Sequence, residues 1–144
     1  MSISVLQGGV QSTVQDLGRN GYAHYGISAS GAADAVSLRI GNLLVGNPED
    51  YSGLEMTLTG GEYQFNKDAF IALSGSEFHA NLDGEPFSFQ QGAYIRKGQI
   101  LHIGGTKKGA RCYLCVLFLY TSDAADEPLR VYLVVRWVLD NTTR

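Results

Sequence analysis

The sequence predicts a mainly β domain, a barrel or sandwich with one main helix near residues 33–45. Three observations predict it. Eighteen glycines stand against 3 prolines in 144 residues, the balance of a chain with many tight turns. From Leu54 onward, apolar residues recur with period two in short runs broken by Gly, Asn or Asp, which is strand spacing. Only one stretch carries a convincing helical period. A chain of this length supports one real core and is too short for two full domains.

Taken in order, "ISVLQ" (3–7) alternates as a first strand. Then comes "VQDLGRNGYAHYGISASGAAD" (14–34), polar and punctuated by glycine. Loops longer than about 12–15 residues without structure of their own are uncommon and usually functional or disordered. Val14, Leu17, Tyr22, Tyr25 and Ile27 supply apolar anchors that a disordered segment lacks, so the stretch reads as a packed, function-bearing loop. From Ala33 to Val45 the period is helical. Val36, Ile40, Leu43 and Leu44 fall at i, i+4, i+7 and i+8 and are expected to face the core, with Ser37, Arg39 and Asn42 on the other side. Ser30 or Gly31 is the expected N-cap, Asp34 suits the first turn, and Gly46 before "NPED" ends the helix.

Strands are then expected at 54–58, 62–65, 69–75, 77–82, 93–98, 99–105 and 110–118. Asp83-Gly84 between two strand-like runs signals a type I′ hairpin. The expected core adds Leu54, Met56, Leu58, Phe65, Ile71, Leu73, Leu82, Ile100, Ile103, Tyr113 and Val116 to the four helix residues. Glu55, between Leu54 and Met56, should face the opposite way and be solvated. At "LYTSDAADE" the composition shifts abruptly, and an apolar run follows with no turn chemistry. That string resembles one translated frame of a transposase adapter used in shotgun DNA libraries. Residues 119–144 are therefore read as a non-native read-through tail, and 1–118 as the domain.

Composition narrows the function. A net charge of -3 with no basic cluster larger than Lys107-Lys108 argues against nucleic acid. No apolar run approaches a membrane span, and the opening residues lack a signal-peptide pattern, so a cytoplasmic protein with reduced thiols is expected. Cys112 and Cys115 sit three apart in a predicted strand, on opposite faces, which disfavours a zinc or redox pair. His24, His79 and His102 have no ligand spacing, so no metal is expected. "LSGSE" lacks the helix that a serine elbow needs, and "GGTKKG" lacks P-loop spacing and opens into a strand.

The polar stretch offers paired readings. Asp16 and Arg19 form either a turn-spanning ion pair, worth about 0–1 kcal/mol, or an Arg oriented toward an anion. Ser30 and Gly31 either cap the helix or present N–H groups to an anion, and the two roles are compatible. Asp34 complements the helix dipole, or acts as a base or a holder of a metal or an Arg. Arg39 and Asn42 are a solvated face or, with a bidentate Arg, a carboxylate or phosphate site.

Five stretches, "VQDLGRNGYAHYGISASGAAD", "SLRIGNLLVGN", "GLEMTLTGG", "IALSGSEFHANLDG" and "GARCYLCV", resemble in order and spacing the first half of the carboxyltransferase subdomain A/B family. The family includes the C subunit of 5-oxoprolinase, the carboxyltransferase region of urea carboxylase (allophanate hydrolase subunit 2) and a sporulation-kinase regulator. The resemblance runs from about Val5 to Val116. It implies a cyclophilin-like β-barrel, and a family chain more than twice this long with a second half of related architecture. An exposed apolar patch is expected where that half would dock.

The resemblance also implies chemistry. In the favoured branch the protein is the C subunit of a bacterial ATP-dependent 5-oxoprolinase, which opens 5-oxoproline to glutamate. Its partners there are a kinase-inhibitor-like B subunit and a lactam-hydrolase-like A subunit. The present stretch would be inactive alone. A second branch would pass a carboxyl group from carboxybiotin to urea, and a third would be a non-catalytic regulator of a kinase-inhibitor-like partner. On the polar loop and the family motifs together, Gln15, Asp16, Arg19, Ser30 and Gly31 are expected to bind substrate or an anion. Asp34, Arg39 and Asn42 are expected to carry catalysis.

Overall fold

The structure is a computed structural model that describes residues 2–18 and 31–119. Its elements, in chain order, are β1 (Ile3–Gln7), β2 (Gln11–Gln15), α1 (Ala35–Val45), β3 (Gly53–Thr57), β4 (Thr59–Phe65) and β5 (Ala69–Gly75). After these come β6 (Phe78–Leu82), β7 (Glu85–Pro86), β8 (Gly92–Ile95), β9 (Ile100–Thr106) and β10 (Arg111–Phe118). Among the described residues, the mainly β architecture with one helix is the one expected. Its wall consists of two five-stranded antiparallel sheets, ordered β1-β4-β9-β6-β7 and β2-β3-β10-β5-β8.

Alternation along each strand fills the space between the sheets. Leu54 and Met56 of β3, Ile71 and Leu73 of β5, and Cys112, Leu114, Val116 and Phe118 of β10 meet Ile3, Tyr63, Phe65, Phe78, Leu101 and Ile103 of the first sheet. Asp83 and Gly84 both adopt positive φ, 50° and 86°, as a type I′ turn requires, and join β6 to β7. The edge strand β2 falls where the sequence begins its polar loop. "QSTVQ" is only half-buried, so its strand signal is weak.

The helix corrects the expectation of face. Its buried residues are Leu38, Gly41, Asn42 and Val45, while Val36, Ile40 and Leu43 are exposed. Both sets have helical spacing, and periodicity alone could not choose between them. Close approach chooses. A Cβ on Gly41 would lie 2.7 Å from both Cys115 Sγ and Ser74 Oγ, so only glycine lets the helix sit this near the second sheet. Leu58, also expected inside, is exposed at a positive φ of 65° in the β3–β4 connection. The helix ends as read: Gly46 is left-handed, and the N–H groups of Gly46 and Asn47 return to Leu43 and Asn42 carbonyls. Val36, Ile40 and Leu43 thus make an exposed apolar stripe. The reading of 119–144 as a read-through tail lies, beyond Leu119, outside the described residues.

Candidate functional site

Asp34, not Ser30 or Gly31, is the N-cap of α1. Its Oδ1 accepts from Ser37 N–H at 3.2 Å, its Oδ2 accepts from the Ser37 hydroxyl, and its carbonyl accepts from Leu38 N–H. The three residues up to and including Asp34 are held by three different strands or strand ends. Ala32 N–H donates to the Asp16 carbonyl just past β2 at 2.8 Å. Ala33 N–H donates to Glu55 Oε2 on β3 at 2.9 Å, and Asp34 N–H donates to the Tyr113 hydroxyl on β10 at 2.9 Å. At the neck Gly31 (φ 94°) crosses Gly18 (φ 87°) so closely that a Cβ on Gly31 would lie 2.5 Å from Gly18 Cα. Asp16 Oδ1 accepts from Gly18 N–H and tightens the turn on that side.

Glu55 is buried, at 8% exposure, contrary to the expectation of a solvated side chain. It does point away from Leu54 and Met56, but the face it occupies is covered by α1 and the segment leading into it. Glu55 Oε2 accepts from Ala33 N–H and from the Tyr113 hydroxyl at 2.7 Å, while Oε1 lies 3.7 Å from Arg111 Nε. Burial pushes the Tyr113 hydroxyl well above its ordinary range, and its hydrogen bond to Glu55 adds to the rise. Tyr113 therefore stays a protonated donor.

The sequence held a signal for this. "CYLCVLF" is apolar on both alternating sets, the mark of a strand covered on both faces. Tyr113 and Glu55 are direct partners in the β10–β3 register. A polar residue paired there must be buried too.

The predicted site residues divide. Asp16, Gly31 and Asp34 come together at the neck and helix start. Gln15 ends β2 half-buried, with its amide donating to Thr13 Oγ1 at 3.0 Å. Arg39 is exposed on α1, but Asn42 is wholly buried on its other side. Asn42 donates to the Tyr51 carbonyl at 2.7 Å, and its oxygen accepts from Asn47, so no polar face shared with Arg39 exists. Arg19 and Ser30 lie outside the described residues. The helix start also carries the carboxylates of Asp34 and Glu55, and the N–H groups of residues 32–34 are engaged. The described residues there do not form a cradle for a phosphate. Cys112 and Cys115 are free thiols on opposite faces of the second sheet, and no group of three or more metal-ligating side chains clusters among the described residues. No helix among them is long and apolar enough to cross a membrane.

Residues 25–118 match the model of the carboxyltransferase domain, subdomain A and B. The chain is 39% identical over 114 residues to a 5-oxoprolinase C subunit from Haemophilus influenzae, covering 79% of this chain and 37% of that protein. It is 40% identical over 117 residues to a putative urea carboxylase from Emericella nidulans, covering 81% of this chain and 9% of the other. A solved urea carboxylase from Kluyveromyces lactis superposes with a TM-score of 0.77 at 34% identity, over 80% of this chain and 10% of that one. The chain thus spans well under half the length of these relatives.

Proposed function

We propose, from the premise that the chain belongs to the carboxyltransferase subdomain A and B family, that it forms part of the C subunit of an ATP-dependent 5-oxoprolinase. The observation that carries this reading is the 39% identity over 114 residues to a protein of that name. In this reading the helix start forms one wall of a cleft for a small planar amide. Asp34 keeps lone pairs beyond those used by Ser37 and accepts the lactam N–H. Arg39, exposed farther along α1, neutralises the substrate carboxylate. A lactam is a poor electrophile with a poor leaving group, and ATP supplies the activation when bound. In this reading ATP is held elsewhere in the assembly, with the A and B subunits. The residues of the helix start bind and orient the amide.

A second reading has its own support. The 40% identity to a putative urea carboxylase favours a carboxyltransferase that takes its carboxyl group from carboxybiotin. Urea presents the same planar N–H edge to Asp34. The test is made on the family-length protein with its partner subunits. ATP-dependent release of glutamate from 5-oxoproline supports the first reading, and biotin-dependent carboxylation of urea supports the second. Asp34→Asn and Arg39→Ala should each lower turnover, the latter by about 2–4 kcal/mol of transition-state stabilisation. Unchanged turnover in both returns these residues to capping and surface roles.

A further inference from the structure

We propose that Glu55 and Tyr113 are positioning residues for this site, mounting the backbone of Ala33 and Asp34 on the second sheet; the role rests on the reading that the helix start lines the substrate cleft. Neither side chain has to touch substrate to do this. Glu55 Oε2 takes Ala33 N–H and the Tyr113 hydroxyl, and the Tyr113 oxygen takes Asp34 N–H. With Ala32 N–H on the Asp16 carbonyl, three consecutive amides are fixed by β2's end, β3 and β10. The mount ends on Asp34, whose φ of -123° and ψ of 86° turn the chain into α1 and aim its carboxylate. Loss of one point lets that carboxylate move while the helix behind it stays packed.

The chemistry of the mount argues for position over stability. A buried carboxylate is costly to desolvate, and well-packed apolar residues commonly stabilise as much or more. Here the carboxylate is placed between two adjacent strands at one register, and its donors are specific backbone and phenol groups. An apolar pair at the same positions would fill the space and leave Ala33 and Asp34 N–H without acceptors. Arg111, 3.7 Å from Oε1, supplies the opposing charge at the rim.

The test uses the family-length protein with its partner subunits. Tyr113→Phe removes one hydroxyl, Glu55→Ala removes the acceptor, and Glu55→Gln retains an oxygen able to take both donors. Because misplacing a reacting group by about 1 Å costs up to about 100-fold, Tyr113→Phe and Glu55→Ala should lower kcat by about tenfold or more, with KM for 5-oxoproline changed by less than about threefold. Glu55→Gln should recover most of the wild-type kcat. Amide exchange at Ala33 and Asp34 should speed about tenfold in Tyr113→Phe, with Leu114 unchanged. Should Glu55→Ala not fold, Tyr113→Phe carries the test alone. Wild-type kcat in Tyr113→Phe overturns the proposal, as does unchanged exchange at the two amides. If the wild-type assembly consumes neither 5-oxoproline nor urea, the functional reading fails; exchange then decides the mount, faster exchange upholding it and unchanged exchange overturning it.

Discussion

The two faces of the second sheet are both buried, yet they are built differently. The inner face contributes Leu54, Met56, Ile71, Leu73, Leu114 and Phe118 to a continuous apolar core against the first sheet. The outer face lies under α1 and mixes Ala72, Cys115 and Leu38 with Glu55, Ser74, Asn42 and Asn47. On that side the polar groups are joined across elements. Ser74 hydroxyl donates to the Ser37 carbonyl at 2.7 Å, and Asn47 donates to the Val116 carbonyl at 2.9 Å. One face is held by shape and area, the other by directed bonds that fix how the helix sits. A site at the helix start needs the second kind of support, because apolar packing alone lets an element slide.

The largest expected effect tests the inner face. Leu114 is 1% exposed, and Leu114→Ala should cost about 2–5 kcal/mol in urea unfolding, from lost transfer energy plus a cavity. Leu114→Met keeps the volume and should cost less than about 1.5 kcal/mol. On the outer face the same logic reverses. Asn42→Leu keeps the branch point of the side chain, yet it removes the donor to the Tyr51 carbonyl and the acceptor of Asn47. It should cost about 1–3 kcal/mol despite the retained branch point. Equal losses for Leu114→Met and Asn42→Leu would erase the distinction between the faces.

A titration probes both faces at once. Burial pushes Cys115 on the helix side up to about 12, and pushes Cys112 on the inner side further still. In the unfolded chain a thiol ionises near about 8.5. Below that value both states are protonated and the thiols leave stability untouched. Above it the unfolded chain loses protons that the folded chain keeps, so stability falls with rising pH. The decline should run from about pH 8.5 to about 12, at up to about 1.4 kcal/mol per pH unit for each thiol. Cys112→Ala and Cys115→Ala, compared by denaturant unfolding between pH 8 and 10 (about the start of that window), should each flatten the slope. A slope unaffected by either change would mean that other groups set it.

These contrasts also show what was legible in the sequence. Period-two alternation placed Leu54, Met56, Ile71, Leu73 and Ile103 inside correctly, because neighbouring strands carry their apolar residues on one shared face and that face packs on the other sheet. Asp83-Gly84 and Gly46 were legible for a different reason, since each needs a backbone conformation that few residues adopt. Glu55 was not. Alternation gives its face but not whether that face meets water, and the covering element comes from elsewhere in the chain. The helix start was half-legible: its polar residues stood out, but the choice of Asp34 as cap depends on where Tyr113 and Glu55 hold the preceding amides.

The smallest expected effect is the sharpest test of the helix face. Read by period, Val36, Ile40 and Leu43 form a core stripe, and a polar residue at Leu43 would then cost several kcal/mol. In the structure Leu43 is 60% exposed and Leu38 is fully buried, so the two leucines of one helix have opposite expectations. Leu43→Ser should lie within about 0.5 kcal/mol of wild type, since it removes little buried area and keeps a tolerated helix residue. Leu38→Ala should cost about 2–5 kcal/mol, because its side chain fills the space over Gly53, where an added Cβ would lie 2.7 Å from Leu38 Cδ1. Chemical unfolding of the two variants, in one buffer and by one probe, gives the comparison directly. A costly Leu43→Ser beside a mild Leu38→Ala would turn the helix over, and with it the Asn42 and Ser74 bonds that distinguish the outer face of the sheet.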